Sequence, residues 1–168
     1  MKTPLFTGAC TALVTPFLKG KLNLTMLKIL LQRQMDAGIG AVVLCGTTGE
    51  SPTLSDEEKI TIFRQAKQFA GNGCTIIAGT GSNDTVHAVA LSRAAEEAGA
   101  DGLLVVTPYY NKATPSGLIA HYSAIAASVH IPVILYNVPS RPGVDIPVSV
   151  YKELSHIANI AGVKEAST

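Results

Sequence analysis

The chain has 168 residues, 47% hydrophobic, 15% charged and 5% aromatic, with enough apolar material for one globular core, which excludes disorder and collagen-like order. Thirteen basic against twelve acidic side chains leave a net charge of +1, so nothing calls for nucleic acid or an anionic lipid surface, and a small-molecule partner is more natural. Apolar runs are broken every few residues by Gly, Pro or Thr, far short of the about 20 apolar residues a membrane span needs.

Met1 to Phe17 holds a single lysine, Lys2, and is interrupted by Pro4, Gly8 and Pro16, so it reads as a first strand rather than a signal peptide. From there, short β-rich runs alternate with longer stretches at helical spacing. The runs begin near Gly8 (ACTALVTP), Ala41 (AVVLCG), Thr75 (TIIAGTG), Gly102 (GLLVVTP), Pro132 (PVILYNVP) and Ile160 (IAGVKE).

The first helix carries the stripe Met26, Leu27, Leu30, Leu31 and Met35 and stops at Gly38. Ser55 and Glu58 form a capping box ahead of a second apolar face, Ile62, Phe63, Ala66, Phe69 and Ala70. Asn83 or Asp84 can cap a third helix ending in AAEEAG, while Pro115 and Pro147 stand at the first helical position of a fourth and a fifth. The expected content is six strands and five helices.

These runs are nearly continuous in apolar residues, which suits strands buried on both faces of a parallel sheet. Their starts lie roughly 30 residues apart, close to the ~250 residues over eight units of a (β/α)8 barrel. No GxGxxG or GxxxxGK follows a strand, so the phosphate-cradling signatures of nucleotide-binding open sheets are missing and the barrel is favoured over a doubly wound sheet. The sequence ends a few residues into the sixth run, so residues 1–168 are expected to be the N-terminal portion of a single TIM-barrel domain.

Cys10, Cys45 and Cys74 are odd in number and form no CxxC pair, which indicates neither a disulfide framework nor a zinc site and suggests a reducing, cytoplasmic setting. His87, His121, His130 and His156 fall in no ligand spacing and read as helix-surface or loop residues, so no metal is expected.

In parallel βα folds the active site gathers at the carboxyl ends of the strands. The runs here close on Thr15, on Thr47 and Thr48, on Thr80, on Thr107, on Tyr136 and Asn137, and on Lys164 and Glu165. Together they would place a ring of hydroxyls, one phenol and one amine around a common pocket. Lys164 follows the apolar run Ile160 to Val163; walled in by such residues, a lysine would hold a neutral amine able to attack a carbonyl and form a Schiff base. The alternative is a lysine whose head reaches solvent or pairs with Glu165. Tyr136 could pass protons during imine formation or be a core tyrosine with a satisfied hydroxyl. The GTTGES segment, Gly46 to Ser51, offers hydroxyls and backbone N–H groups suited to a carboxylate, and equally reads as an ordinary βα loop.

Four ordered motifs, GTTGES at 46–51, VTPYYN at 106–111, YNVPSRPG at 136–143 and GVKEAS at 162–167, resemble the dihydrodipicolinate synthase family of pyruvate-dependent class I aldolases. That group also holds N-acetylneuraminate lyase and 2-keto-3-deoxygluconate aldolase. The likeness runs from the TALVTPF segment to the last residue. It implies a (β/α)8 barrel with a helical C-terminal extension, of which this chain would supply the first six strands.

The resemblance further implies a cofactor-free lyase in which Lys164 condenses with pyruvate, and the enamine then attacks L-aspartate semialdehyde to give 4-hydroxy-tetrahydrodipicolinate, on the way to diaminopimelate and lysine. Tyr136 would shuttle protons, Thr47 would hydrogen-bond to it, and Tyr110 would complete the relay from a neighbouring subunit of a homotetramer. Thr47 and Thr48 would hold the pyruvate carboxylate. Arg141, within PSR, would receive the semialdehyde carboxylate and distinguish a synthase from the sialic acid lyases; alone, it is a solvated loop arginine. A pocket that binds inhibitory lysine in some members would map near Ser51, Asp56, Lys59, Asn83, His87 and Tyr109, where Lys59 and His87 suit a cationic ligand poorly. The alternatives are another pyruvate aldolase of the same fold or a non-catalytic fragment.

Overall fold

Six of the short apolar runs lie side by side as one parallel sheet in the computed structural model, which describes residues 4–167. Of the expected Met1–Phe17 strand region, Met1, Lys2 and Thr3 lie outside the described residues, as does Thr168. In chain order the elements are β1 (Cys10–Ala12), β2 (Phe17–Leu18), β3 (Lys21–Leu22), α1 (Leu24–Asp36), β4 (Ala41–Leu44), α2 (Asp56–Ala70), β5 (Thr75–Gly79), α3 (Thr85–Glu97), β6 (Gly102–Val106), α4 (Pro115–Ser128), β7 (Val133–Asn137), α5 (Val148–Leu154) and β8 (Ile160–Glu165). The sheet order is β1-β4-β5-β6-β7-β8, each strand parallel to its neighbour. Consecutive helices from α1 to α5 pack on one another. This is six eighths of a βα barrel, as the strand spacing predicts.

The helices begin where the sequence places their caps. The Ser55 hydroxyl accepts from Glu58 N while the Glu58 carboxylate accepts from Ser55 N, completing the capping box. Of the two candidates for α3, Asp84 is the cap, accepting from Val86 N at 2.9 Å. Pro115 occupies the first turn of α4 behind Thr114, but Pro147 is itself the cap residue of α5, one position earlier than expected.

Strand alternation sorts the apolar residues into two layers. Val42, Leu44, Ile76, Ala78, Leu103, Val105, Val133 and Leu135 meet the helices in the larger, outer core. Ala41, Val43, Ile77, Leu104 and Tyr136 form a smaller inner cluster on the concave face. Both faces are therefore apolar, which is why the runs read as continuous rather than alternating.

Two departures from expectation carry physical reasons. The first run is strand only over three residues, and the chain then forms a hairpin of β2 and β3 that the sequence pattern does not announce. Its two-residue loop puts Lys19 and Gly20 both at positive φ, the geometry such a loop requires, but a lysine is an unusual occupant and hides the signal. The second concerns β8. Val133 pairs with Ile160 while Ile134 pairs with Gly162, leaving Ala161 as an extra residue. Because side chains alternate between faces, one inserted residue turns everything beyond it over. Ile160 packs in the outer core, and without the bulge Lys164, four residues on, would point there too. With it, Lys164 pairs with Tyr136 on the concave side.

Candidate active site at the carboxyl end of the sheet

The β4 carboxyl end makes the first wall. Cys45 takes a positive φ of 52° directly after the strand and redirects the chain into the GTTGES loop. There Gly46 O accepts from Gly49 N and Ser51 N, and Thr47 O accepts from Glu50 N. The Thr15 hydroxyl fastens this loop by donating to Gly49 O at 2.7 Å. A methyl at Gly79 would collide with the Cys45 carbonyl, so glycine there lets β5 approach the turn. Burial pushes the Cys45 thiol up to about 12, so it is an unreactive wall group.

Above this turn opens a cleft of about 350 Å³, lined by Thr47, Ser51, Lys59, His87, Tyr109, Tyr136 and Arg141 among others. A second cavity, of about 450 Å³, occupies the concave interior; Cys10, Val43, Ile77, Ile134 and Lys164 line it, and Leu104 borders both. The junction is made by the register pair Tyr136 and Lys164: the Lys164 Nζ stands 4.2 Å from the centre of the Tyr136 ring. Such a contact at an exposed amine contributes about 0.5–1 kcal/mol, enough to bias the amine's direction but not to fix it.

Several expectations need correction. Among the described residues, apolar walls do not enclose Lys164: Val163, Lys164 and Glu165 are all exposed at the end of β8. Nor does it pair with Glu165, which faces away and accepts from Asn137 Nδ2 at 2.9 and 3.1 Å and from the Tyr151 hydroxyl at 3.1 Å. The ring of strand-end groups is divided. Asn137 and Glu165 sit on the helix side, as their step along the strand requires, and Thr80 accepts from Ser92 beneath α3. Thr107 is fully buried, and its hydroxyl takes no partner among the described residues. Thr48 is exposed beside the cleft. Tyr110 is 91% exposed at a positive φ of 74°, projecting from the loop between β6 and α4. Arg141 is exposed, its loop turned by Arg141 N donating to Val138 O. His121 is no surface residue: it is 3% exposed, with Nδ1 bonded to the Thr85 hydroxyl at 2.9 Å.

The Glu165 carboxyl is held down, to about 2, by hydrogen bonds from Ser167 first and then from Asn137 and Tyr151. Burial is the main reason the Tyr151 hydroxyl is pushed up, with the Glu165 bond adding to it. In the wall of the cleft, His87 Nε2 lies 2.7 Å from Asp56 Oδ2 and Lys59 Nζ 3.5 Å from Asp56 Oδ1. Although the partial burial of Asp56 works the other way, the His87 hydrogen bond and the His87 and Lys59 charges leave its carboxyl below the usual range. This trio belongs to the group Ser51, Asp56, Lys59, Asn83, His87 and Tyr109 that the resemblance maps about one pocket, and Ser51, Lys59, His87 and Tyr109 of that group line the cleft. Among the described residues no three His, Cys, Asp or Glu side chains converge to hold a metal ion, and no helix is long and apolar enough to cross a membrane.

A model of the dihydrodipicolinate synthetase family matches residues 5–168. The 4-hydroxy-tetrahydrodipicolinate synthase of Acetivibrio thermocellus is 47% identical over 167 residues, covering 99% of this chain and 57% of that protein. The enzyme of the same name from Syntrophus aciditrophicus is 49% identical over 163 residues, with coverages of 97% and 56%. The crystal structure of dihydrodipicolinate synthase from Aquifex aeolicus superposes with a TM-score of 0.94 at 45% identity over 96% of this chain and 56% of the other. A chloride-inhibited dihydrodipicolinate synthase from Acinetobacter baumannii, solved in complex with pyruvate, gives 0.92 at 45% identity over 95% and 55%. The chain thus spans a little over half the length of these relatives.

Proposed function

Since this chain belongs to the dihydrodipicolinate synthetase family, we propose that it carries the imine-forming half of a lyase that condenses pyruvate with L-aspartate semialdehyde to give 4-hydroxy-tetrahydrodipicolinate. The observation that supports this best is the pairing of Lys164 with Tyr136 at the carboxyl ends of adjacent strands, amine over phenol at 4.2 Å. In the proposed reaction the Lys164 amine attacks the pyruvate ketone, and Tyr136 relays the proton needed to expel water from the carbinolamine. The protonated imine then accepts the electron pair released when a methyl proton leaves, and the enamine adds to the aldehyde. Ring closure by the product amine displaces the lysine, so no cofactor is consumed.

In this reading Thr47 and Thr48 take the pyruvate carboxylate at the β4 turn, and Thr47, which lines the same cleft as Tyr136, is its partner in the relay. Arg141, which lines the same cleft as Thr47, takes the carboxylate of the second substrate, which favours the synthase over a sugar-acid aldolase. Tyr110, exposed on its loop, serves the relay of a neighbouring subunit in a homotetramer. Three free thiols suit a reducing cytoplasm. Lysine inhibition is absent or weak, because Lys59 and His87 stand where a cationic ligand would be received; strong inhibition at low lysine would refute this.

The test is to incubate the chain with pyruvate and borohydride and locate the reduced adduct by mass spectrometry. The expected result is one adduct on Lys164, abolished in Lys164→Ala. An adduct at another lysine, or none, rejects the assignment.

A further inference from the structure

The end of β8 poses a mechanical problem. It enters through a bulge, and its last three residues are exposed among the described residues, yet it carries the amine that must stay over Tyr136. A bulge locally disrupts the ladder, and the facing of every residue after it depends on the pairing that follows. One residue beyond the Tyr136–Lys164 pair, on the opposite face, stands the next register pair, Asn137 and Glu165.

Asn137 is only 1% exposed, and its whole side chain is engaged. Nδ2 donates to Asp145 Oδ1 at 2.7 Å and to both Glu165 oxygens, while Oδ1 accepts from Ile146 N at 3.2 Å. Its backbone carbonyl accepts from Ala166 N at 2.9 Å. One side chain therefore ties the end of β7 to the end of β8 and to the loop that bears Arg141. We propose that Asn137 is a positioning residue that, through Glu165, keeps the Lys164 amine in register over the Tyr136 ring.

The chemistry suits asparagine in particular. Two carboxylates converge on one site, and a primary amide supplies a hydrogen to each while keeping an oxygen for the loop N–H. An aspartate would add a third negative charge, and an alanine would remove the donor shared by the two carboxylates, leaving Glu165 only the Tyr151 hydroxyl and Ser167 N. Because Tyr136 and Asn137 are consecutive, as are Lys164 and Glu165, a slip or twist that parts the outer pair parts the inner one.

The consequence for catalysis rests on the reading of Lys164 as the imine-forming amine, so the experiment reads position separately from reaction. Reductive methylation with ¹³C-formaldehyde gives each lysine a dimethylamino resonance that keeps its charge, and Lys164→Arg identifies the one from Lys164. In the unsubstituted chain that resonance is expected upfield of those of the exposed lysines, shifted by the Tyr136 ring current. Asn137→Ala and Glu165→Ala should return it to the common position and slow borohydride-trapped adduct formation by roughly tenfold to a hundredfold. Glu165→Gln, which keeps an acceptor for the amide, should retain most of the shift and the rate.

If both alanine variants keep the shift and the rate while only the melting temperature falls, the cluster is merely structural and the proposal is overturned. Should Asn137→Ala not fold, the Glu165→Ala and Glu165→Gln pair decides alone, and an unmoved resonance in both overturns it. A ring-shifted resonance that depends on Asn137 in a chain forming no pyruvate adduct would support the positioning role and reject the proposed reaction.

Discussion

His121 shows how a single side chain can be misjudged from sequence and then yield a pH prediction. It lies on α4 facing Thr85 at the start of α3, and its Nε2 is buried without a partner among the described residues. Burial therefore lowers its pKa below the ordinary 6.5. Between that lowered value and about 6.5 the unfolded chain binds the proton and the folded one does not, so folding stability rises with pH there and is lost as pH falls from about 6.5. Urea denaturation at pH 7.5 and 5.5 should show this loss, and His121→Gln should reduce it. Arg141 and Lys164 make the complementary residue-scale prediction. Arg141→Ala should leave pyruvate trapping on Lys164 nearly unchanged and lower use of the semialdehyde by roughly tenfold to a hundredfold, the worth of a charge-assisted hydrogen bond. Equal losses in both assays would mean that the division of roles is wrong.

Elements differ in how openly the sequence announces them. The start of α2 is fully legible, because Ser55 and Glu58 satisfy two backbone donors through local bonds that need no other part of the chain. Ser55→Ala should cost about 1 kcal/mol in denaturant unfolding with an unchanged m-value; no measurable loss would mean that packing of Ile62, Phe63 and Ala66 alone decides that helix. The hairpin of β2 and β3 and the bulge at Ala161 were not legible. The first depends on left-handed backbone at Lys19, the second on a register that only pairing with β7 reveals.

At the scale of the molecule, six strands curve round a concave face while β1 and β8 each keep one side unpaired in the sheet. Unpaired parallel edges of this kind invite pairing with another chain, and Phe17, Leu18 and Val163 are exposed apolar residues of the strand segments. Residues 1–168 expressed by themselves should therefore associate in sedimentation velocity as their concentration rises, and a strictly monomeric species throughout would count against pairing through these strands.

The six strands of the parallel sheet and the five α-helices between them, the buried-both-faces character of that sheet, the caps of α2 and α4, and the places of Thr47 just after β4 and of Tyr136 and Lys164 near their strand ends were all determined by the sequence alone. Each depends on composition or on spacing within a few residues. Which strand-end groups share a face was decided only by the tertiary structure. Asn137 and Glu165 went to the helix side, Thr80 and Thr107 into the buried layer, and Lys164 reached the concave side beside Tyr136. The reason is that facing is a property of pairing. A single unpaired residue in β8 reverses every side chain after it, and no pattern within that strand records which partner residue it will meet.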